Sequence, residues 1–122
     1  AIIYLSCVGV ENGSLAAAHS IANSLSTISK YNNFMHGEKV AFGTIVQLIL
    51  ENKDAHLIDK VKELYKKIDL PYNMKQIGIE DEEELYQIAK RACEKDQPIN
   101  RMKKIFAHED KVKSAIKFTE NL

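Results

Sequence analysis

The chain has 122 residues, of which 45% are hydrophobic and 28% charged, a composition typical of one globular domain. Its 17 basic and 17 acidic side chains balance to zero net charge, so no basic excess attracts nucleic acid or an anionic membrane surface. The longest apolar run, Val40 to Leu50, is interrupted by Thr44 and Gln47. It is too short to cross a bilayer, which takes about 20 residues.

The two cysteines indicate the redox compartment of the protein, and the first residues bear on whether the chain is part of a larger one. Cys7 and Cys93 lie far apart and form no C-x-x-C pair, which predicts free, packed thiols and a reducing compartment, the cytoplasm. The chain opens on the apolar run Ala1-Ile2-Ile3-Tyr4-Leu5 and has no initiator methionine. Independent domains more often begin with polar, frayed residues. We therefore expect the chain to be a piece of a larger protein.

The first two predicted helices differ in how much of their surface is apolar. Residues Ser14 to Ile28 form one apolar stripe at helical spacing, and Asn12 or Ser14 is a suitable N-cap. Residues Gly37 to Asn52 are apolar nearly all round, which is the pattern of a helix buried on every side.

Three further helices are predicted downstream. Residues His56 to Ile68 are amphipathic, and Pro71 ends this segment because the residue before a proline avoids helical geometry. Asp81 to Cys93 begins with an acidic run that suits the positive end of a helix dipole, and we favour this over a cation site. Glu109 to Asn121 is the last helix. No strand alternation is visible, so the predicted fold is all-α, with about six helices, one of them central and buried.

Two of the four histidines stand out. His56 and His108 begin amphipathic segments and are expected to be ordinary surface residues. His19 follows three alanines whose small side chains leave space beside it, and Asn23 lies one turn later on the same face. His36 precedes the buried helix, where the helix dipole favours the neutral imidazole that a metal needs. From spacing alone, structural roles are favoured, because catalytic zinc usually takes three protein ligands.

Two motifs together suggest a family. The stretch G-V-E-N-G-S-L-A-A-A-H-S-I-A-N, from Gly9 to Asn23, resembles the glycerol dehydrogenases, as does H-G-E-K-V-A-F-G-T-I-V-Q-L, from His36 to Leu48. These enzymes belong to the iron- and zinc-dependent polyol dehydrogenases. The rest of the chain matches more loosely. The resemblance implies the C-terminal helical domain of such a protein, of the dehydroquinate synthase-like type, with residues 1–122 forming that single domain.

The resemblance also implies that NAD and the metal are bound with the help of two different domains. An N-terminal α/β domain, absent from this chain, would bind NAD, and zinc would be held by His19, His36 and an Asp outside the chain. Asn23 would orient these ligands. Zinc lowers the pKa of a polyol hydroxyl and NAD accepts the hydride, so glycerol would become dihydroxyacetone. We expect a homo-oligomeric full-length enzyme and no dehydrogenase activity from the isolated chain.

One departure and two alternatives remain open. The position of Val10 is often aromatic in glycerol dehydrogenases and lies beside the substrate, so a smaller residue there puts glycerol itself in doubt. A stand-alone helical binding domain descended from such an enzyme is the second interpretation. A related polyol substrate, phosphorylated or larger, is the third, for which the basic residues Arg101, Lys103 and Lys104 are the only phosphate-compatible feature.

Overall fold

A computed structural model describes residues 16–101 and 108–122, and these two ranges contain helices and turns but no β-strand. Predictions that concern Cys7, Val10, Lys103 and Lys104, and the side chain of Arg101, lie outside the described residues. Six α-helices follow one another within these ranges: α1 (Ala16–Ser26), α2 (His36–Leu50), α3 (Ala55–Lys67), α4 (Met74–Ile77), α5 (Glu82–Ala92) and α6 (Glu109–Phe118). Three 3-10 turns lie at Ser29–Tyr31, Pro98–Arg101 and Thr119–Asn121. The predicted all-α class is confirmed.

The helix ends follow local hydrogen bonding. Asp54, Asn73 and Asp81 precede α3, α4 and α5, and each side chain accepts a backbone N–H two or three residues later, at 2.9, 2.9 and 2.8 Å. These are N-caps, which satisfy amides that have no acceptor within the helix. The first predicted helix was extended too far, to Ile28. Its α-helical part ends at Ser26 because the Thr27 and Ile28 amides bond three residues back, in the tighter 3-10 manner.

Helix α2 is the centre of the domain. All ten residues from Lys39 to Leu48 are buried. One apolar cluster joins α1 and α2 to the buried faces of α5 and α6, and a second joins α1 and α2 to the buried face of α3. The predicted central, buried helix is therefore confirmed, and its apolar circumference is explained by the two clusters that it separates.

Helix α1 is fixed by polar as well as apolar contacts. The buried Ser20 hydroxyl accepts the backbone N–H of Ile99 at 2.8 Å, and the buried Ser24 hydroxyl donates to the carbonyl of Ile88 at 2.8 Å. Each bond joins α1 to chain more than sixty residues away. A buried hydroxyl that lost such a partner would be left unsatisfied at a cost of about 1–3 kcal/mol. These bonds therefore hold α1 in one orientation.

No helix within the two described ranges combines the length and the apolar character that crossing a membrane requires.

Candidate metal-ligand face on helices α1 and α2

Helix α1 leaves one stripe of its surface uncovered by the described residues. Eight of its eleven residues are buried. The three exposed ones are His19, Asn23 and Ser26, which are spaced four and three residues apart and so lie on one side of the helix. Because the other sides of α1 are packed, the backbone that carries this stripe is held rigidly.

The approach of α2 uses the space that the alanines leave. A Cβ atom on Gly43 would lie 2.6 Å from the carbonyl oxygen of Ala18, so the two backbones touch. The side-chain oxygen of Gln47 accepts the backbone N–H of Ala18 at 3.0 Å. The space expected beside His19 is thus occupied at Ala18 by α2, and His19 itself turns to the outside. Small residues at this crossing fix the position of His19 relative to α2.

His36 is the first residue of α2, and its backbone is also restrained. The carboxylate of Glu38 accepts the backbone N–H of Met35 at 2.8 Å, which closes the start of the helix. His36 is exposed. Three residues later, Lys39 is buried, at 5% exposure, and its ammonium group donates to the Ser26 hydroxyl at 3.3 Å. Residues three apart share a helix face, so this bond joins the His36 side of α2 to the exposed stripe of α1.

Four exposed side chains are here called the imidazole face: His19, Asn23 and Ser26 of α1 and His36 at the start of α2. Among the described residues, neither His19 nor His36 has a side-chain hydrogen bond or ion pair. The Asn23 amide donates to the Gln97 side chain at 3.2 Å. Its predicted role of orienting the ligands stays a prediction, as does the role of Val10, which lies outside the described ranges.

A complete metal site is not built from this part of the chain. Within residues 16–101 and 108–122, no group of three His, Cys, Asp or Glu side chains is placed to hold a metal ion. The imidazole face offers two nitrogen donors of the type that zinc takes. Any site formed here needs at least one further donor.

Sequence reasoning missed Ser26 and Lys39. The burial of Lys39 could have been predicted from the sequence, because a lysine in a helix that is apolar all round is expected to be buried and to need a hydrogen-bond acceptor. Ser26 gave none, since serine near a helix end is common and its partner lies on another helix.

The remaining histidines and the acidic run behave as expected. His56 is exposed near the start of α3, and His108 is exposed and accepts the Asp110 amide at 3.4 Å as the cap of α6. Glu82 bonds Lys117 at 2.8 Å and pairs with Lys113 at 3.2 Å. The acidic run thus begins α5, and lysines of the chain neutralise part of it.

Comparison with known proteins finds similar enzymes and a similar solved structure. The glycerol dehydrogenase of Escherichia coli O6:H1 is 41% identical over 101 residues, which are 81% of this chain and 28% of that enzyme. The glycolaldehyde reductase of Halobacterium salinarum is 39% identical over 98 residues, 79% of this chain and 27% of that protein. A solved structure, of a probable glycerol dehydrogenase from Sinorhizobium meliloti 1021, superposes with a TM-score of 0.75 at 28% identity, over 88% of this chain and 32% of that one.

The chain is similar to the glycerol dehydrogenases over about four fifths of its length. It corresponds to the C-terminal helical domain of such a protein, as the two motifs predicted. It spans a little over a quarter of the length of the curated relatives that it matches. No protein-family model matches the chain.

Proposed function

We propose that this helical domain supplies His19 and His36 as two of the protein ligands of a zinc ion in an NAD-dependent polyol dehydrogenase. One observation carries the proposal. Both imidazoles are exposed, and neither is engaged by the described residues, on the imidazole face of a helix pair that is otherwise packed, in a chain that is similar to the glycerol dehydrogenases.

The donor chemistry fits zinc. Neutral imidazole nitrogen is a preferred zinc ligand, and catalytic zinc sites take three protein ligands and leave a position open for substrate. The third ligand, an Asp, and the NAD-binding α/β domain are proposed to come from outside this chain. The free thiol of Cys93 suits the cytoplasmic, reducing setting proposed here.

The residues of this chain would act by holding the two ligands in place. Gly43 and Gln47 fix the backbone of α1 beside His19, while Glu38 fixes the backbone that leads into His36. Zinc supplies a Lewis acid that favours deprotonation of a polyol hydroxyl, and NAD accepts the hydride. Without the other domain, the chain is expected not to oxidise polyols.

Glycerol is the first substrate to test, with dihydroxyacetone as its product. The match to a glycolaldehyde reductase favours a second candidate, a related small hydroxyaldehyde or polyol. A small residue at Val10 is compatible with a wider pocket. Assembly of the complete enzyme into a homo-oligomer also remains a proposal.

The test compares the parent with His19→Ala, His36→Ala and the matched control His56→Ala, which removes an exposed histidine elsewhere. Elemental analysis of the purified full-length gene product should show one bound zinc ion per chain in the parent and control and none in the first two variants. In the full-length gene product, glycerol-dependent reduction of NAD should be lost in the same two variants. Equal activity and zinc content in all four proteins would refute the proposal and favour a stand-alone binding domain.

A further inference from the structure

The carboxylate of Glu84 bonds two neighbouring residues of the connection between α1 and α2, and a longer ion pair of 3.8 Å joins Lys30 to Glu80. The Lys30 ammonium donates to both oxygens of Glu84, at 2.9 and 2.8 Å, and the Tyr31 hydroxyl donates to one of them at 2.7 Å. Lys30 and Tyr31 form the 3-10 turn of this connection, whereas Glu84 lies in the first turn of α5. Hydrogen bonds to a charged group are the stronger kind, and three of them converge here.

The Tyr31 ring makes this attachment rigid. Tyr31 is buried, with 1% of its surface exposed, and its ring lies against Gly78, where a Cβ atom would be 3.5 Å away. The Lys30 ammonium lies 5.8 Å from the centre of the same ring, a cation–π distance. Burial and the Glu84 contact raise the pKa of the Tyr31 phenol, which therefore stays protonated and able to donate.

Short backbone bonds continue from this turn to His36. The Tyr31 carbonyl accepts the Phe34 amide at 3.1 Å. The next amide, that of Met35, donates to the Glu38 carboxylate, and the Met35 carbonyl accepts the Glu38 amide at 3.0 Å. A restraint on Tyr31 is thus passed along the chain to the first residue of α2.

Helix α5 does not depend on Glu84 for its own attachment. Ser24 of α1 bonds the Ile88 carbonyl, and Arg91 donates to the Thr27 hydroxyl at 2.9 Å. We therefore expect that removing the Glu84 carboxylate loosens Lys30 and the Tyr31 hydroxyl while α5 stays attached to α1.

We infer that Glu84 is a positioning residue for His36, acting through Lys30 and Tyr31 on the connection that leads into α2. The importance of His36 itself rests on the proposed function. The restraint on its backbone rests on the contacts above and is tested separately.

The experiment uses Glu84→Gln, which keeps the side-chain volume, and Tyr31→Phe, which keeps the buried ring. Glu83→Gln is the matched control, because Glu83 is the exposed neighbour of Glu84 in the same turn. Hydrogen exchange of the Phe34 and Glu38 amides is measured by NMR, with α6 amides as the internal reference. Losing bonds to a charged group predicts about tenfold faster exchange at Phe34 and Glu38 in both variants. Exchange in α6 should stay unchanged, and the backbone amide signal of His36 should move toward its position in the unfolded chain.

Exchange equal to that of Glu83→Gln would overturn the inference, and so would acceleration that is uniform through α6. If Glu84→Gln fails to fold, Tyr31→Phe decides the same point. Zinc affinity is recorded in parallel. Failure of the full-length protein to bind zinc through His36 would refute the proposed function, while the exchange data would still decide whether Glu84 positions the connection.

Discussion

Gly43 lies directly against the backbone of Ala18: a Cβ atom at residue 43 would approach the Ala18 carbonyl oxygen to 2.6 Å and its Cα to 2.9 Å. Contacts this short involve backbone atoms, which cannot rotate away as the end of a side chain can. The crossing of α1 and α2 therefore requires glycine at this position, and the same crossing fixes the α1 backbone that carries His19.

Gly43→Ala is expected to push the two helices apart. Forcing a methyl group into a packed contact costs about 1–3 kcal/mol, and the immobile backbone here favours the upper part of that range. Urea unfolding followed by circular dichroism measures the change. Gly37→Ala is the control, since nothing lies within 4 Å of its added Cβ and helix propensity favours alanine by up to about 1 kcal/mol. Equal stability of the two variants would contradict the close approach.

Tyr65 fastens α3 to α2 through a buried hydrogen bond. Its hydroxyl donates to the carbonyl of Ala41 at 2.8 Å, and burial raises the pKa of the phenol, which keeps it protonated. Tyr65→Phe should lower the free energy of unfolding by about 1 kcal/mol, the net value of one such bond. The comparison is Tyr86→Phe, at an exposed tyrosine, which should be nearly neutral in the same urea titration. A neutral Tyr65→Phe would show that the bond contributes nothing.

Glu84 makes the domain sensitive to acid. Hydrogen bonds from Lys30 and Tyr31 hold the pKa of its carboxyl below the ordinary value of 4.5. A folded pKa that is lower than the unfolded one adds stability above the unfolded value, and this contribution disappears as pH falls through the folded pKa. Urea unfolding between pH 7 and pH 2.5 should therefore show a smaller acid-induced loss in Glu84→Gln than in Glu83→Gln. Parallel profiles would count against the Glu84 contacts.

Cys93 is expected to be unreactive in the folded chain. Burial, with a smaller effect of Glu109, raises the pKa of its thiol to about 11. Only about one thiol in a thousand is then ionised at pH 8, and the thiolate is the reactive form. Alkylation by iodoacetamide, read by mass spectrometry of the Cys93 peptide, should be far slower in the native chain than in urea. Similar rates in the two conditions would disprove the prediction.

A structural feature can be predicted from the sequence when residues close together along the chain determine it. Helical spacing and capping residues act within a few positions, so α3, α5 and α6 begin within one residue of where they were predicted. The apolar circumference of α2 likewise predicted its burial. Helix α4 was not predicted individually, because four residues between Pro71 and Gly78 are too few to show a period.

The amino-acid sequence by itself determined the helical class, the buried central helix and, through two motifs, the resemblance to glycerol dehydrogenases, and it supplied the prediction that His19 and His36 are metal ligands. Only the tertiary structure decided what surrounds those histidines. It places Gly43 against Ala18, Lys39 beside Ser26, and Glu84 on Lys30 and Tyr31. Each of these contacts joins residues on different elements of the fold. No local propensity encodes such a pairing, because it depends on how packed helices bring distant side chains together.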